Sequence, residues 1–131
     1  MKNCWMLLWL LVAGSVSAQT ANPTFIFFDW GKGELSTDAT ATLDGVVAQY
    51  QKAPGPMLID GHSDRSGPAG SNLLSSRKRG ETARDYLAAH GIPAGAMRVR
   101  AYGESAPIIA TEDGVREVQN RRVEIRFIGA D

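Results

Sequence analysis

The chain has 131 residues, which is enough for one folded domain and too few for two. Its composition, 44% hydrophobic and 21% charged residues, is that of a globular domain and excludes a disordered chain. Because 14 Lys and Arg residues balance 14 Asp and Glu residues, a polycationic nucleic-acid-binding protein is excluded as well.

Residues 1–18 have the pattern of a secretory signal peptide. Lys2 gives a short charged start, residues 5–14 form an apolar stretch, and Ala18 ends a run of small residues that suits cleavage. The apolar stretch is about half as long as a membrane-spanning helix requires. We therefore expect cleavage after Ala18; retention of the segment as an N-terminal anchor is the alternative.

The remainder of the chain is predicted to be a short extension over residues 19–23 followed by one domain over residues 24–131. Cys4 is the only cysteine, and it lies inside the predicted signal. A lipoprotein needs its cysteine directly after the cleavage point, so we do not expect a lipid anchor here. After cleavage the chain would contain no thiol for a disulfide or a metal site.

Hydrophobic periodicity predicts the element order β-α-β-α-β-β. Ser36 is a suitable N-cap for the first helix, and Gly91 and Pro93 are suitable stop signals for the second. Strands that alternate with helices form parallel or mixed sheets, and the missing full helix before the last strand predicts one antiparallel neighbour. We expect an α/β (α+β) fold, a two-layer sandwich in which helices pack on one face of a mixed sheet of about four strands. The predicted elements are strands over 24–28, 57–59, 98–102 and 122–127, helices over 36–53 and about 71–90, and a helical turn near 112–118.

Asp60, His62 and Asp64 alternate just after the second predicted strand, a spacing that a metal hydrolase could use. His90 is the only other histidine and lies at a helix end, so the sequence supplies little to complete such a site. We prefer the interpretation that His62 braces a loop through hydrogen bonds. No catalytic residue, metal or cofactor is therefore assigned.

A stronger candidate site combines the loop carrying Asp64 with the helix that follows it. Asn72, Ser76 and Arg79 lie at i, i+4 and i+7, so they share one helix face. A carboxylate in the loop and a guanidinium on the helix could border one depression and bind the ammonium and the carboxylate of a zwitterion. Two alternatives are equally open at this point: Asp64 pairs with Arg79, or Asp64 caps its own loop.

Ordered motifs extend over nearly all of residues 24–128. In chain order they are Phe25-Ile26-Phe27-Phe28-Asp29, Gly61-His62-Ser63-Asp64-Arg65-Ser66-Gly67, the helix residues Asn72, Ser76 and Arg79, Tyr102-Gly103-Glu104, and Asn120-Arg121-Arg122-Val123-Glu124-Ile125. Together they resemble the OmpA-like C-terminal domain family, whose members bind peptidoglycan. The resemblance is specific because the motifs keep family-like order and spacing.

The resemblance implies non-catalytic binding of the peptidoglycan stem peptide, through the free end of diaminopimelate, which carries an amino group and a carboxylate. The family's aspartate and arginine correspond to Asp64 and Arg79 here. The other residues expected to complete the ligand site are Ser63, Gly67, Asn72 and Arg122, with Arg122 slightly preferred to Arg121. With so short an extension before the domain, the resemblance also implies a free module in the periplasm of a Gram-negative bacterium, possessing no membrane span after cleavage.

Three positions depart from the family pattern. Ser63 replaces the usual threonine and keeps the hydroxyl. Ser75 stands where leucine is usual, and Gly80 stands where alanine is usual. If the family leucine is matched to Leu74 instead, the register slips by one and Lys78 takes the place of Arg79. Ser75 and Gly80 also motivate a second hypothesis, in which the domain is an envelope adaptor that binds a protein partner and has a degenerate wall site.

Overall fold

The structure is a computed structural model that describes residues 22–128. The predicted signal peptide, its cleavage site and most of the extension lie outside the described residues. The elements are β1 Thr24–Phe27, α1 Thr37–Lys52, β2 Met57–His62, α2 Ala69–Ala89, β3 Met97–Gly103 and β4 Arg122–Phe127, with single 3-10 turns at Ala94–Ala96 and Val118–Asn120. None of the described helices is both long and apolar enough to cross a membrane.

The four strands form one mixed sheet in the order β1-β4-β2-β3. β2 is parallel to β3, whereas β4 lies antiparallel to both β1 and β2. The predicted α+β sandwich is thus confirmed, and β2 is an interior strand of the sheet. β4 has two antiparallel neighbours rather than the one expected, because the long connection over residues 104–121 carries the chain past the end of β2.

The core lies between the sheet and the helix layer. The Ser36 side chain accepts a hydrogen bond of 3.0 Å from the backbone N–H of Ala39, which confirms the predicted N-cap of α1. Along each strand every second side chain faces the helices, so the apolar residues of the strands meet those of α1 and α2. The core includes Ile26, Leu43, Val46, Ile59, Ala83, Leu87, Val123 and Ile125.

α2 crosses β2 and β3 at very short range because small residues occupy the contact. A Cβ atom on Gly61 would lie 1.9 Å from the carbonyl oxygen of Ser76, and one on Gly80 would lie 2.9 Å from Cγ1 of Val99. The Ser76 hydroxyl accepts a hydrogen bond of 2.9 Å from the backbone N–H of Gly103. Gly80, one of the departures from the family pattern, is therefore a close-packing position.

The first turns of α2 bury polar residues rather than a leucine. Leu73 is 42% exposed, while Asn72 and Arg79 are buried. The reason is the short distance between helix and sheet, which leaves no room for a leucine side chain beside Gly103. Even the Cα atom of Leu73 lies only 3.2 Å from the position that a Cβ on Gly103 would take. The polar residues of α2 consequently face the end of β2.

Candidate functional site

A hollow of about 390 Å³ opens beyond the carboxyl end of β2, between the loop that follows β2, the first turns of α2 and the loop after β1. It contains five of the six residues predicted to bind a ligand; the exception is Arg122. The side chains and glycines lining it are Trp30, Gly31, Lys32, Gly33, Ser63, Asp64, Ser66, Gly67, Asn72, Ser75, Lys78, Arg79 and Arg121.

Asp64 is 2% exposed, and its carboxylate is held by several donors. One oxygen accepts from Nη1 of Arg121 at 2.7 Å and from the backbone N–H of Glu117 at 3.1 Å. The other accepts from the backbone N–H and the hydroxyl of Ser66. Burial alone would raise the pKa of Asp64, but these hydrogen bonds outweigh it and hold the pKa below its usual value. Asp64 is therefore ionised at neutral pH, and it does cap its own loop.

Arg79 is a buried cation whose donors are largely unused. It is 5% exposed, its Nη1 donates to the carbonyl oxygen of His62 at 3.3 Å, and its Nε has no partner among residues 22–128. Its guanidinium carbon lies 5.5 Å from the centroid of the Phe28 ring. Burial, followed by the charge of Arg121, lowers the pKa of Arg79, and Asp64 partly opposes the effect. Arg121, not Arg79, forms the ion pair with Asp64.

Ser63, Gly67 and Asn72 shape the loop that borders the hollow. The Ser63 hydroxyl donates to the backbone carbonyl of Asp64 at 3.0 Å, and its N–H donates to the carbonyl of Gly103 at 2.8 Å. Asn72 donates from Nδ2 to the carbonyl of Gly67 at 2.8 Å, and a Cβ on Gly67 would lie 3.2 Å from Oδ1 of Asn72. These contacts fix the backbone around Asp64.

The prediction that Arg122 lies at this hollow is wrong. Arg122 is 3% exposed on the opposite face of the sheet, where it donates to the carbonyl of Ala106 at 2.9 Å and lies 3.5 Å from Glu124. Arg121 lies at the hollow instead. Strand alternation places position 121 on the same side as Val123, which faces the helices, and position 122 on the outer side.

The structure distinguishes the two registers considered for the helix arginine. Both Lys78 and Arg79 line the hollow, but Arg79 is buried and Lys78 is exposed at the rim. The Lys78 methylenes lie 3.7–3.8 Å from the position that a Cβ on Gly33 would take. The planar guanidinium thus occupies the deep position.

Two residues that the sequence analysis did not single out help to close the hollow. Trp30 donates from its indole nitrogen to the Ser66 hydroxyl at 3.1 Å, and the Arg116 guanidinium lies 3.4 Å from the centroid of its ring. These contacts join the loop after β1 to the loop after β2 and to the connection before β4. Irregular loops have no period, so no sequence pattern predicts such contacts.

Two polar residues brace the connection before β4, one from within it and one from the loop after β2. Asn120, which is fully buried, donates to the carbonyl of Ile109 and accepts from the N–H groups of Ile108 and Ile109, each at 2.9 Å. Arg65 donates to the carbonyl of Thr111 at 3.0 Å. This bracing supports the backbone segment whose Glu117 N–H binds Asp64.

The residues considered for a metal site do not converge. Asp60 lies on the outer face of the sheet, where both of its carboxylate oxygens accept from Arg100 at 2.7 Å. His62 is on the same outer face, and Asp64 is on the helix side. Residues 22–128 contain no group of three side chains placed to hold a metal ion.

His62 is instead part of the packing of the outer face. Its ring stacks on that of Tyr102 at 5.1 Å between centroids, and its Nε2 lies 2.9 Å from a carboxylate oxygen of Glu124. Burial and the nearby charge of Arg122 lower the pKa of His62, against the opposing effects of Glu124 and Asp60. His62 is therefore neutral at neutral pH. It is the last residue of β2 and packs on the outer face of the sheet, so the interpretation that it braces a loop through hydrogen bonds is not confirmed.

Comparison with known proteins agrees with this fold. The sequence profile of the OmpA family matches residues 27–121. The peptidoglycan-associated lipoprotein of Rhizobium meliloti is 37% identical over 98 residues, which is 74% of this chain but 56% of that protein's length. The peptidoglycan-associated lipoprotein of Pseudomonas putida is 30% identical over 118 residues, covering 88% of this chain and 70% of the relative.

Solved structures show the same architecture. The peptidoglycan-associated lipoprotein of Burkholderia pseudomallei superposes with a TM-score of 0.72 at 25% identity, covering 78% of this chain and 87% of that structure. The C-terminal domain of Helicobacter pylori MotB gives a TM-score of 0.71 at 19% identity, covering 85% and 86%, and supports the fold alone. Profile, relatives and architecture agree, and the chain belongs to the OmpA family.

Proposed function

We propose that this domain binds peptidoglycan without catalysis, through the diaminopimelate residue of the stem peptide. The observation that carries the proposal is the buried Arg79, with unused donors, beside the ionised Asp64 in one hollow. Donors of a buried guanidinium that have no partner are costly, and a ligand carboxylate would satisfy them. The relatives' name, peptidoglycan-associated lipoprotein, supports the same ligand class.

The free end of diaminopimelate carries an ammonium and a carboxylate on one carbon atom. The carboxylate would accept from the planar fork of Arg79, and the ammonium would lie against Asp64. Asp64 already accepts four hydrogen bonds, but the Ser66 hydroxyl is the donor that can rotate away most easily. The ammonium would then replace that hydroxyl, while Arg121 and the backbone N–H groups keep the carboxylate in place.

The fork of Arg79 can be tested by a charge-conserving substitution. We expect Arg79→Lys to lower the affinity for purified peptidoglycan sacculi by about tenfold or more, as measured by co-sedimentation, because lysine cannot form two parallel hydrogen bonds with one carboxylate. Arg77→Lys is the matched control, since Arg77 is exposed on the same helix and does not line the hollow. Equal sedimentation of Arg79→Lys and the unchanged protein would reject the proposed carboxylate site.

A location in the periplasm at the cell wall follows from this ligand and from the predicted signal peptide. Related outer membrane proteins and peptidoglycan-associated lipoproteins support an envelope location. The adaptor hypothesis loses part of its motivation, because close packing against Val99 accounts for Gly80 and because Ser75 lines the hollow. Within this proposal, envelope proteins are additional partners of the domain.

A further inference from the structure

The hollow carries more positive charge than a zwitterion can neutralise. Among its lining residues, Lys32, Lys78, Arg79 and Arg121 are cationic, and Asp64 is the acidic one. Arg121 and Asp64 neutralise each other through their 2.7 Å ion pair. The free end of diaminopimelate brings one positive and one negative charge, so the surplus at the hollow would persist after it binds.

Lys78 is the cation best placed to receive a further anion. It lies directly before Arg79 on α2, and its methylenes cross the loop after β1 above Gly33, where the absence of a side chain leaves room. No carboxylate within residues 22–128 forms an ion pair with it. Lys32 has a second environment, since it also borders a groove that contains Asp29 and Glu34.

Arg79 lies deeper in the hollow than Lys78, so the two side chains would bind opposite ends of the diaminopimelate residue. Arg79 is buried, so the far end of the diaminopimelate side chain would be inside the hollow. The backbone end of the same residue would then be at the rim, beside the exposed Lys78. Two carboxylates can occur at that end: the α-carboxylate of the preceding D-isoglutamate, and the backbone carboxylate of diaminopimelate when it is the last residue.

We propose that Lys78 binds a second carboxylate at the backbone end of diaminopimelate, so that the domain prefers stem peptides in which this group is free rather than amidated. The inference rests on the proposed function and adds a specificity-determining residue to it. An ammonium on a flexible stem suits this role, since it binds a carboxylate as a point charge and requires no fixed geometry.

The test compares three synthetic tripeptides by titration calorimetry. In the first peptide both carboxylates at the backbone end are free. The second peptide has D-isoglutamine in place of D-isoglutamate. In the third peptide the backbone carboxylate of diaminopimelate is amidated, while the carboxylate at the free end of its side chain is unchanged. The unchanged protein should bind the first peptide about two- to fivefold more tightly than one of the two amidated peptides, as expected for an exposed ion pair. The amidated peptide that binds more weakly shows which carboxylate Lys78 contacts. Lys78→Met should bind all three alike, whereas the control Arg77→Met should keep the preference.

The outcomes separate this inference from the function on which it rests. If Lys78→Met shows the same preference among the three peptides as the unchanged protein, the role of Lys78 is rejected and the diaminopimelate site stands. If the unchanged protein binds the three peptides equally, a second carboxylate site is rejected. If none of the peptides binds while sacculi are retained, both proposals fail.

Discussion

Gly61→Ala is expected to destabilise the domain by about 3 kcal/mol or more, because the new methyl group has no space. Its Cβ would lie 1.9 Å from the carbonyl oxygen of Ser76 and 2.8 Å from the carbonyl carbon. Both atoms belong to the backbone of α2, so no side-chain rotation relieves the clash. α2 would have to move away from β2, and Asn72 and Arg79 would move with it.

Urea unfolding monitored by circular dichroism measures this effect. Gly45→Ala is the matched control, since Gly45 is in the middle of α1 and a Cβ there meets nothing within 4 Å. We expect the control to gain up to about 1 kcal/mol from higher helix propensity. A Gly61→Ala protein as stable as the unchanged one would show that the helix is not seated on β2 as described.

Asp64→Asn is expected to cost about 3–5 kcal/mol of stability at neutral pH as well as ligand binding. The substitution removes the charge that neutralises Arg121, whose side chain is 9% exposed, and it brings an amide N–H₂ among groups that donate. The N–H groups of Ser66 and Glu117 would lose a charged acceptor. Asp64 is thus structural and ligand-binding at once, so Arg79 is the cleaner position for testing binding.

The pH dependence of this loss gives an independent check. Because folding lowers the pKa of Asp64, its ionised form contributes stability above the unfolded-state pKa of about 3.9. That contribution disappears as the pH falls through the lower folded-state pKa. The difference in unfolding free energy between the unchanged protein and Asp64→Asn should therefore narrow below about pH 4, and a difference that stayed constant from pH 7 to pH 2 would contradict the assigned ion pair.

Much of the fold is predictable because each element has its own local signal. The Ser36 cap and the apolar period of α1 define the first helix, and the alternating residues of β3 and β4 define two strands. The end of β2 is less predictable. Asp60 to His62 have the composition of a loop, yet they extend the strand because their backbone pairs with β3 and β4 and their side chains find partners on the outer face.

The candidate site was predictable where it depends on helical spacing. Asn72, Ser76 and Arg79 are buried on one face of α2, as their i, i+4, i+7 pattern predicts. The sequence prediction preferred Arg122 to Arg121. The alternation of β4 already places these two residues on opposite faces of the sheet, but the sequence does not show which face the helices cover, and that face is the one with the hollow. Trp30 was missed for another reason: its position depends on where three irregular loops meet.

In the proposed function, the hollow binds both charges at the free end of diaminopimelate. The most direct measurement is titration calorimetry of the unchanged protein with two stem tripeptides that differ at the third residue, diaminopimelate in one and L-lysine in the other. L-lysine keeps the ammonium and lacks the carboxylate that Arg79 would bind. We predict at least about tenfold tighter binding of the diaminopimelate peptide; equal affinities for the two peptides would contradict the claim.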